Sequence, residues 1–299
     1  MMKKCMIAAW MFAACLFTST FATAQTQDSL LVAIETIDDN EYIGTIVEQT
    51  DEVITLQTIN LGRLSLQKSA IKNIKAVKKG SIVNGQYWFE NPHPTRYFWG
   101  PSGYGLKRGE GYYQNIWVTF NQVSYGFTDN FSLGVGTFPV FLFGVNFIPF
   151  WITPKISIPI KEDKLNASAG ALYFNAVGTD AGDLDGGVGL LYGTFTIGPK
   201  DKNLTLGLGY GYDGSGLAKS PAISISGMTR VGRKAYLMSE NYILPIEGEV
   251  VGILSVGGRH VGRRLAIDYG LFAPISSDGI PGAFPWLGIV VPFGKTQMH

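Results

Sequence analysis

The chain has 299 residues, of which 16% are charged, 13% are aromatic and 38 are glycines. An ordinary soluble domain carries about 25% charged residues, so this composition favours a membrane-associated protein. Its 24 basic and 23 acidic residues almost cancel, which gives no reason to expect nucleic acid as a partner.

Residues 1–24 have the pattern of a signal peptide: a basic start, a short apolar run and the small residues of 22–24 at a cleavage site. A rival interpretation makes Cys15 a lipidated cysteine. Cys5 and Cys15 are the only cysteines, so residues 25–299 hold no disulfide, thiolate metal site or cysteine nucleophile. No later stretch approaches about 18 uninterrupted apolar residues, so no transmembrane helix is predicted.

Residues 27–78 are richer in charge and predict a small all-β domain. The segment "YIGTIVEQTDEVITLQTINLGRLSLQKSAIKNI" resembles the SH3-like and Sm-like small barrels, which implies a closed sheet but no particular ligand. Residues 79–93 are interpreted as a linker. The five strands are predicted at 30–36, 42–48, 53–58, 63–67 and 71–77.

Residues 94–294 repeat a unit of about ten glycine-rich, aromatic and β-branched residues followed by a turn. This pattern predicts an all-β fold, an up-and-down antiparallel transmembrane β-barrel of about 12 strands, with a tail at 295–299. The strands are predicted near 95–103, 112–127, 131–142, 147–159, 165–176, 187–198, 203–212, 222–230, 234–244, 250–258, 264–273 and 285–294.

Two of these strands alternate clearly between large apolar and small or polar residues. Leu204, Leu206 and Leu208 alternate with threonine and glycine, and Ile267 and Tyr269 alternate with alanine, aspartate and glycine in a later strand. Apolar residues on one face and small or polar ones on the other are what lipid outside and a lumen inside require. Outer-membrane lipid is therefore an expected partner.

Alternate connections between the predicted strands also differ in length and charge. The short turns are rich in lysine and arginine, whereas the alternate, longer loops hold most of the acidic residues. Such segregation indicates that the two sets lie at opposite ends of one sheet, with short turns in the periplasm. The first predicted loop, which contains Lys107, Arg108 and Glu110, breaks this pattern.

The segments "TRYFWGPSGYGLKRGEGYYQN" and "YGFTDNFSLGVG" resemble the openings of functionally uncharacterised outer-membrane barrel proteins of Gram-negative bacteria. The resemblance implies a barrel in the outer membrane, and the parity of the turns then places the leading domain in the periplasm. These barrels usually end on an aromatic residue. Here Phe293 would take that position, although six residues follow it.

Charged residues within predicted strands are the candidate functional residues. A carboxylate facing lipid costs a few kcal/mol, so Glu240 and Asp268 are expected to face the lumen. Pairing of either one with Arg230 or Arg264 would pack a plugged lumen, whereas unpaired charges would line a polar pore.

Large aromatic residues in the predicted strands are interpreted as an interfacial girdle. The residues concerned are Trp117, Trp151, Tyr210, Tyr242 and Trp286.

The first functional hypothesis is a non-enzymatic barrel that passes or binds small molecules, apolar ones among them. The second is a structural or anchoring protein whose leading domain binds a periplasmic protein partner. The third is a lipid-modifying hydrolase that uses His260 as a base, but no nucleophile elbow lies nearby. No catalytic residue, cofactor or metal site is predicted.

Overall fold

The computed structural model describes residues 31–38, 40–77, 82–83, 86–88, 91–139, 144, 146–178, 187–246, 249–262, 265–277 and 279–294. Contacts within the chain divide it into two compact units, residues 1–87 and 88–299. The predicted signal peptide and tail lie outside the described residues. Among the described residues, no helix is both long and apolar enough to cross a bilayer.

The first unit contains a five-stranded antiparallel sheet, in which the first strand lies between the second and the fifth, the third lies beside the second and the fourth is at the edge. Its strands are close to the predicted positions. Alternation of apolar and polar residues turns Ile34, Ile54 and Leu56 inward, where they form the core with Val32. A 3-10 helix at Lys68–Ala70 precedes the last strand. The strands are β1 Leu31–Thr36, β2 Glu41–Gln49, β3 Val53–Thr58, β4 Arg63–Gln67 and β5 Ile71–Ala76.

The second unit is a closed antiparallel barrel of twelve strands, which confirms the predicted barrel and its strand number. Each strand pairs with the next along the chain, and β20 pairs with β8 to close the sheet. The barrel strands are β8 Glu110–Ile116, β9 Phe120–Gly126, β10 Phe131–Thr137, β11 Phe147–Lys161, β12 Leu165–Gly178, β13 Val188–Ile197, β14 Lys202–Asp213, β16 Ala222–Arg230, β17 Ala235–Ile246, β18 Glu249–Val261, β19 Ala266–Ile275 and β20 Phe284–Gly294.

Three two-residue strands complete the described set. The first two, β6 and β7, pair with each other before the barrel, and the third extends the loop after β14. Their bounds are β6 Ile82–Val83, β7 Gln86–Tyr87 and β15 Gly216–Leu217.

The first two barrel strands differ from the prediction. Residues 95–103, predicted as a wall strand, form no strand of the barrel, and residues 112–127, predicted as one strand, form β8 and β9. The chain reverses at Trp117 and Val118, whose φ angles are 49° and 67°. Such a turn normally uses glycine, asparagine or aspartate, so this tryptophan–valine turn gave no recognisable signal.

The two ends of the barrel carry different connections. The chain enters β8 and leaves β20 at the end that holds the turns after β9, β11, β13, β16 and β18, here called the short-turn end. The opposite end is called the long-loop end. The Arg108 amide donates to Asp129 Oδ1 at 3.1 Å, so the basic pair Lys107–Arg108 belongs to the short-turn end. The exception in the predicted charge pattern is thereby removed.

The outer wall carries a continuous apolar surface. Leu204, Leu206 and Leu208 each expose about half of their side-chain surface, while Thr205 between them is 1% exposed. In β19, Ile267 is likewise exposed. These strands therefore confirm the predicted alternation of apolar outside and small or polar inside.

Candidate functional site

Residues 91–109 enter the barrel lumen and return to the end at which they entered. The Asn91 side-chain amide donates to the carbonyl of Lys200, in a short turn, at 3.1 Å. At the other end of the segment, the Gly109 amide donates to the carbonyl of Gly126 at 2.9 Å. Both contacts lie at the short-turn end. We call residues 91–109 the lumenal segment.

The lumenal segment reverses direction inside the barrel. The Tyr97 amide donates to the Gly100 carbonyl and the Ser102 amide to the Thr95 carbonyl, both at 3.0 Å. Neither Tyr97 nor Phe98 has measurable exposed surface. The stretch predicted as a wall strand therefore includes residues that are fully buried inside the lumen.

A buried carboxylate on β19 gathers two arginines. Arg259 holds Asp268 in a bidentate pair, with Nε to Oδ1 at 2.6 Å and Nη2 to Oδ2 at 3.0 Å. Arg96 of the lumenal segment contacts the same carboxylate at 3.4 Å. The Arg259 guanidinium also donates to the carbonyls of His93, at 2.6 Å, and Tyr97, at 2.8 Å. This network ties the lumenal segment to two adjacent wall strands.

A second buried carboxylate binds backbone rather than a cation. Glu240 has no exposed surface. Its Oε2 accepts the amides of Phe98 at 2.8 Å and Trp99 at 3.0 Å, and its Oε1 accepts the Tyr242 hydroxyl at 2.6 Å. The carboxylate thus caps the turn of the lumenal segment, and charge-assisted hydrogen bonds of this kind are stronger than neutral ones.

Strands on the opposite wall hold the same segment by its carbonyls and amides. Lys155 Nζ donates to the carbonyls of Thr95 at 3.0 Å and Tyr104 at 2.6 Å. The Gly103 amide donates to Thr196 Oγ1 at 2.6 Å. Since a buried backbone group without a partner is costly, these wall residues supply the hydrogen bonds that the irregular segment cannot make to itself.

Glycines in the lumenal segment allow it to lie directly against the wall. A Cβ on Gly103 would stand 2.4 Å from the backbone carbonyl oxygen of Asn166. One on Gly105 would stand 2.6 Å from the Cβ of Ser157. Any larger residue at these positions forces the segment or the wall to move.

The predicted lumen charges are placed differently from one another. Glu240 and Asp268 both face the lumen and are fully buried. Arg230 is not the partner of either: it pairs with Asp201 at a short turn, with Nη1 to Oδ2 at 2.9 Å. Arg264 lies outside the described residues.

Sequence reasoning missed three buried cations of the lumen, of which one carried a usable signal. Ile156 alternates with Lys155 along β11, so an outward isoleucine implies an inward lysine. Arg259 lies directly opposite Asp268 in the register of β18 and β19, but the predicted strand ends at residue 258, one residue before it. Arg96 carried no such signal, because its segment was interpreted as wall.

His93 is buried within the lumenal segment and is 2% exposed. Burial, followed by the nearby charges of Arg96 and Arg259, lowers the pKa of this histidine well below its ordinary value, so the imidazole is neutral at pH 7. Its ring packs edge-on against Tyr112 with centroids 4.2 Å apart. The residue predicted as linker therefore packs within the barrel.

Above the lumenal segment, towards the long-loop end, the lumen holds a cavity of about 380 Å³. Small-molecule sites typically have volumes of about 300–1,000 Å³. Most of the lining is aliphatic or aromatic, whereas its charged members are two cations, Arg96 and Lys155. The large apolar side chains of the lining include Trp99, Trp151, Leu172, Leu190 and Leu244.

Aromatic residues predicted as one interfacial girdle divide between the two faces of the wall. Trp117 and Tyr210 are exposed on the outside. Trp151 and Trp286 are 4% and 5% exposed and face the lumen, and Tyr242 also points inward, to Glu240. The girdle interpretation is therefore wrong for these three residues, which instead form part of the interior.

The histidine considered as a catalytic base, His260, does not face the lumen. His260 of β18 is exposed on the outer wall, in register with Ala235 and Ile267. Among the residues described, no three histidine, cysteine, aspartate or glutamate side chains come close enough to share a metal ion.

No protein-family model matches the chain, and no curated protein matches it. Solved structures give distant matches. The chain is similar to OpdQ of Pseudomonas aeruginosa, with 13% identity and a TM-score of 0.34 over 64% of this chain. The match spans only 60% of the OpdQ chain.

Two further matches cover more of each chain. A doubly substituted variant of OccD1 (OprD) matches with 11% identity and a TM-score of 0.37 over 89% of this chain and 94% of that one. The outer membrane channel DcaP of Acinetobacter baumannii matches with 11% identity and a TM-score of 0.31, over 88% and 94%. At these values the likeness transfers no function to this chain.

Proposed function

We propose that this chain is a non-enzymatic outer-membrane barrel protein that binds small, predominantly apolar molecules in the lumen above residues 91–109. The observation that carries the proposal is the cavity of about 380 Å³ walled by aliphatic and aromatic side chains. Ligand sites of this kind are concave, mostly apolar and largely preformed.

The outer wall supports a membrane location. Its strands present leucine, isoleucine and valine outward, and in water such a band would be an unusually large exposed apolar surface. A closed barrel has no unpaired strand edge and is therefore compatible with lipid. With short turns in the periplasm, both ends of the barrel sequence and the leading domain lie on the periplasmic side.

Binding is favoured over free passage because the lumenal segment occupies the short-turn half of the barrel. Its hydrogen bonds reach β11, β13, β17 and β18. A solute that enters from the long-loop end meets this segment before it reaches the opposite end. Passage therefore requires the segment to move.

Quenching of tryptophan fluorescence tests the proposal. Trp99 and Trp151 line the cavity, so 11-bromoundecanol bound there quenches their emission. We expect Leu190→Phe, which narrows the cavity, to weaken quenching about tenfold or more. The matched control is Leu191→Phe, because Leu191 is the next residue and faces outward. Equal quenching in both variants would contradict a lumenal site.

The alternative function is anchoring of a periplasmic protein by the leading domain. The order of its sheet, with β1 between β2 and β5 and a 3-10 helix before β5, supports the SH3-like interpretation. A chain that lacks residues 27–78 distinguishes the two functions. Full probe binding by this shortened chain, together with cell-envelope defects, would favour anchoring as the main role.

A further inference from the structure

The buried charges of the lumen do not balance. Among the described residues of the barrel, the buried ionisable cations are Arg96, Lys155 and Arg259, against two buried carboxylates, Glu240 and Asp268. Removing a charge from water costs several kcal/mol unless it is compensated, so an excess cation favours a counter-ion.

The excess positive charge is located at Lys155. Both arginines contact Asp268, whereas Lys155 contacts the carbonyl oxygens of Thr95 and Tyr104. An ammonium group has three N–H donors, and those two carbonyls take two of them. Within the described part of the chain, the third has no protein acceptor.

Two residues of the lumenal segment hold further unused donors. Arg96 Nε, Arg96 Nη2 and Thr95 Oγ1 are buried and have no hydrogen-bond partner among the described residues. Both residues line the cavity, as Lys155 does, and the described lining includes no carboxylate. Buried polar groups are nearly always satisfied in folded proteins, so this group of donors indicates an absent acceptor.

The rest of the lining is uncharged and mainly apolar in surface, although amide and hydroxyl side chains such as Gln114 and Gln122 also belong to it. Leu172, Leu190 and Leu244 line it together with Trp99 and Trp151. A ligand that satisfies both parts needs an anionic head and an apolar body. The volume of about 380 Å³ suits a molecule of drug or medium-chain size.

We infer that the cavity selects amphipathic anions, in the manner of a medium-chain carboxylate, and that Lys155 is the residue that binds the carboxylate. This inference rests on the proposed function and specifies its ligand class. The apolar body lies against the leucines and tryptophans, while the head group supplies the acceptor that the third N–H of Lys155 lacks.

A pair of probes that differ only in the head group tests the inference. Purified protein at pH 7 is titrated with 11-bromoundecanoate and with 11-bromoundecanol, and quenching of tryptophan emission is measured for each. We expect the carboxylate to bind at least tenfold more tightly than the alcohol, because only the carboxylate carries the compensating charge.

Substitutions in β11 test whether Lys155 is responsible for the preference for the carboxylate. Lys155→Met is expected to remove the preference for the carboxylate while the alcohol still binds, and Lys155→Arg to retain it. Lys161→Met is the matched control, since Lys161 is an exposed residue at the end of the same strand, and it is expected to behave as the unaltered protein. Retained binding of the alcohol shows that Lys155→Met leaves the cavity intact.

Failure of the inference and failure of the proposed function give different results. Equal affinity for both probes in the unaltered protein, with both weakened by Leu190→Phe, would overturn the ligand class and leave lumenal binding standing. If neither probe responds to Leu190→Phe, both proposals are overturned.

Discussion

The two halves of the lumen share one barrel wall but differ in what the wall contacts. In the short-turn half, inward side chains such as Arg259, Glu240 and Thr196 make hydrogen bonds to the lumenal segment. In the long-loop half, inward side chains such as Leu190 and Trp151 border a cavity. The wall of the short-turn half therefore binds the lumenal segment, whereas the wall of the long-loop half leaves space for a ligand.

The difference follows from the chemistry of the lumenal segment. An irregular backbone inside a barrel brings amides and carbonyls that need partners, and only polar wall residues provide them. Where the segment ends, that requirement ends too. Apolar residues can then line the wall, and they create a site that favours apolar ligands.

The largest expected effect on stability comes from substitution of the buried carboxylate Asp268 in the short-turn half. Asp268→Asn removes the charge that compensates Arg259 and Arg96, and breaking a buried pair typically costs about 3–5 kcal/mol. We expect the lumenal segment to loosen, which planar-bilayer conductance and limited proteolysis within residues 91–109 would detect. Glu162→Gln, at an exposed turn, is the control. An Asp268→Asn protein as silent and protease-resistant as the unaltered one would contradict the role of this pair.

A smaller effect is expected where the lumenal segment touches the wall. Gly103→Ala places a Cβ 2.4 Å from the Asn166 carbonyl oxygen, and overpacking of this kind costs about 1–3 kcal/mol. We expect a lower midpoint of thermal unfolding, measured by loss of the heat-modifiable band on a gel. Gly193→Ala is the control, because its nearest atom would lie 3.9 Å away. Equal midpoints for the two variants would show that the segment does not lie against β12.

In the long-loop half, shortening one apolar wall side chain is expected to weaken ligand binding without loosening the lumenal segment. Leu244→Ala removes apolar contact worth about 1 kcal/mol, which corresponds to roughly fivefold weaker binding of 11-bromoundecanol. Ile243→Ala alters the adjacent outward residue and is expected to change nothing. A reversed order of the two affinities would place the probe on the outer wall.

The smallest effect on ligand binding in the lumen is expected from a substitution in the core of the first unit. Leu56 is fully buried in its core, so Leu56→Ala destabilises that unit by about 2–5 kcal/mol. We expect probe binding by the barrel to be unaltered. Leu61→Ala, at an exposed position, is the control for the core effect. Circular dichroism of unfolding and the quenching assay would measure the two quantities separately.

The inward and outward positions of many wall residues were predictable, because one face of each strand meets lipid and the other meets the lumen. Alternation in 203–212 and 264–273 identified the inward positions correctly, and the cost of a carboxylate in lipid placed Glu240 and Asp268 in the lumen. The same alternation, applied to Ile156, would also have placed Lys155 there. Strand number and topology follow from such local patterns.

The lumenal segment was not predictable in this way. Residues 95–103 have the glycine and aromatic composition of a strand, and only their contacts with distant strands show that they lie inside. Two compensating errors, one strand too many at 95–103 and one too few at 112–127, left the predicted count at twelve. The partner of Asp268 depended on the register between β18 and β19, which the sequence alone does not specify.

A cysteine pair tests most directly whether the lumenal segment fills the short-turn half. Residues 25–299 contain no cysteine, so Gly105→Cys with Ser157→Cys introduces the only thiols of that region. A Cβ on Gly105 would stand 2.6 Å from that of Ser157, against about 3.8 Å in a disulfide, so a shift of about 1 Å allows the bond. Gly105→Cys with Ile156→Cys is the control, because Ile156 faces outward.

We expect the first pair to form a disulfide in membranes, seen as a mobility change on a non-reducing gel, and the control pair to stay reduced. Reduced thiols in the first pair, both accessible to a membrane-impermeant maleimide, would contradict a lumen filled by residues 91–109.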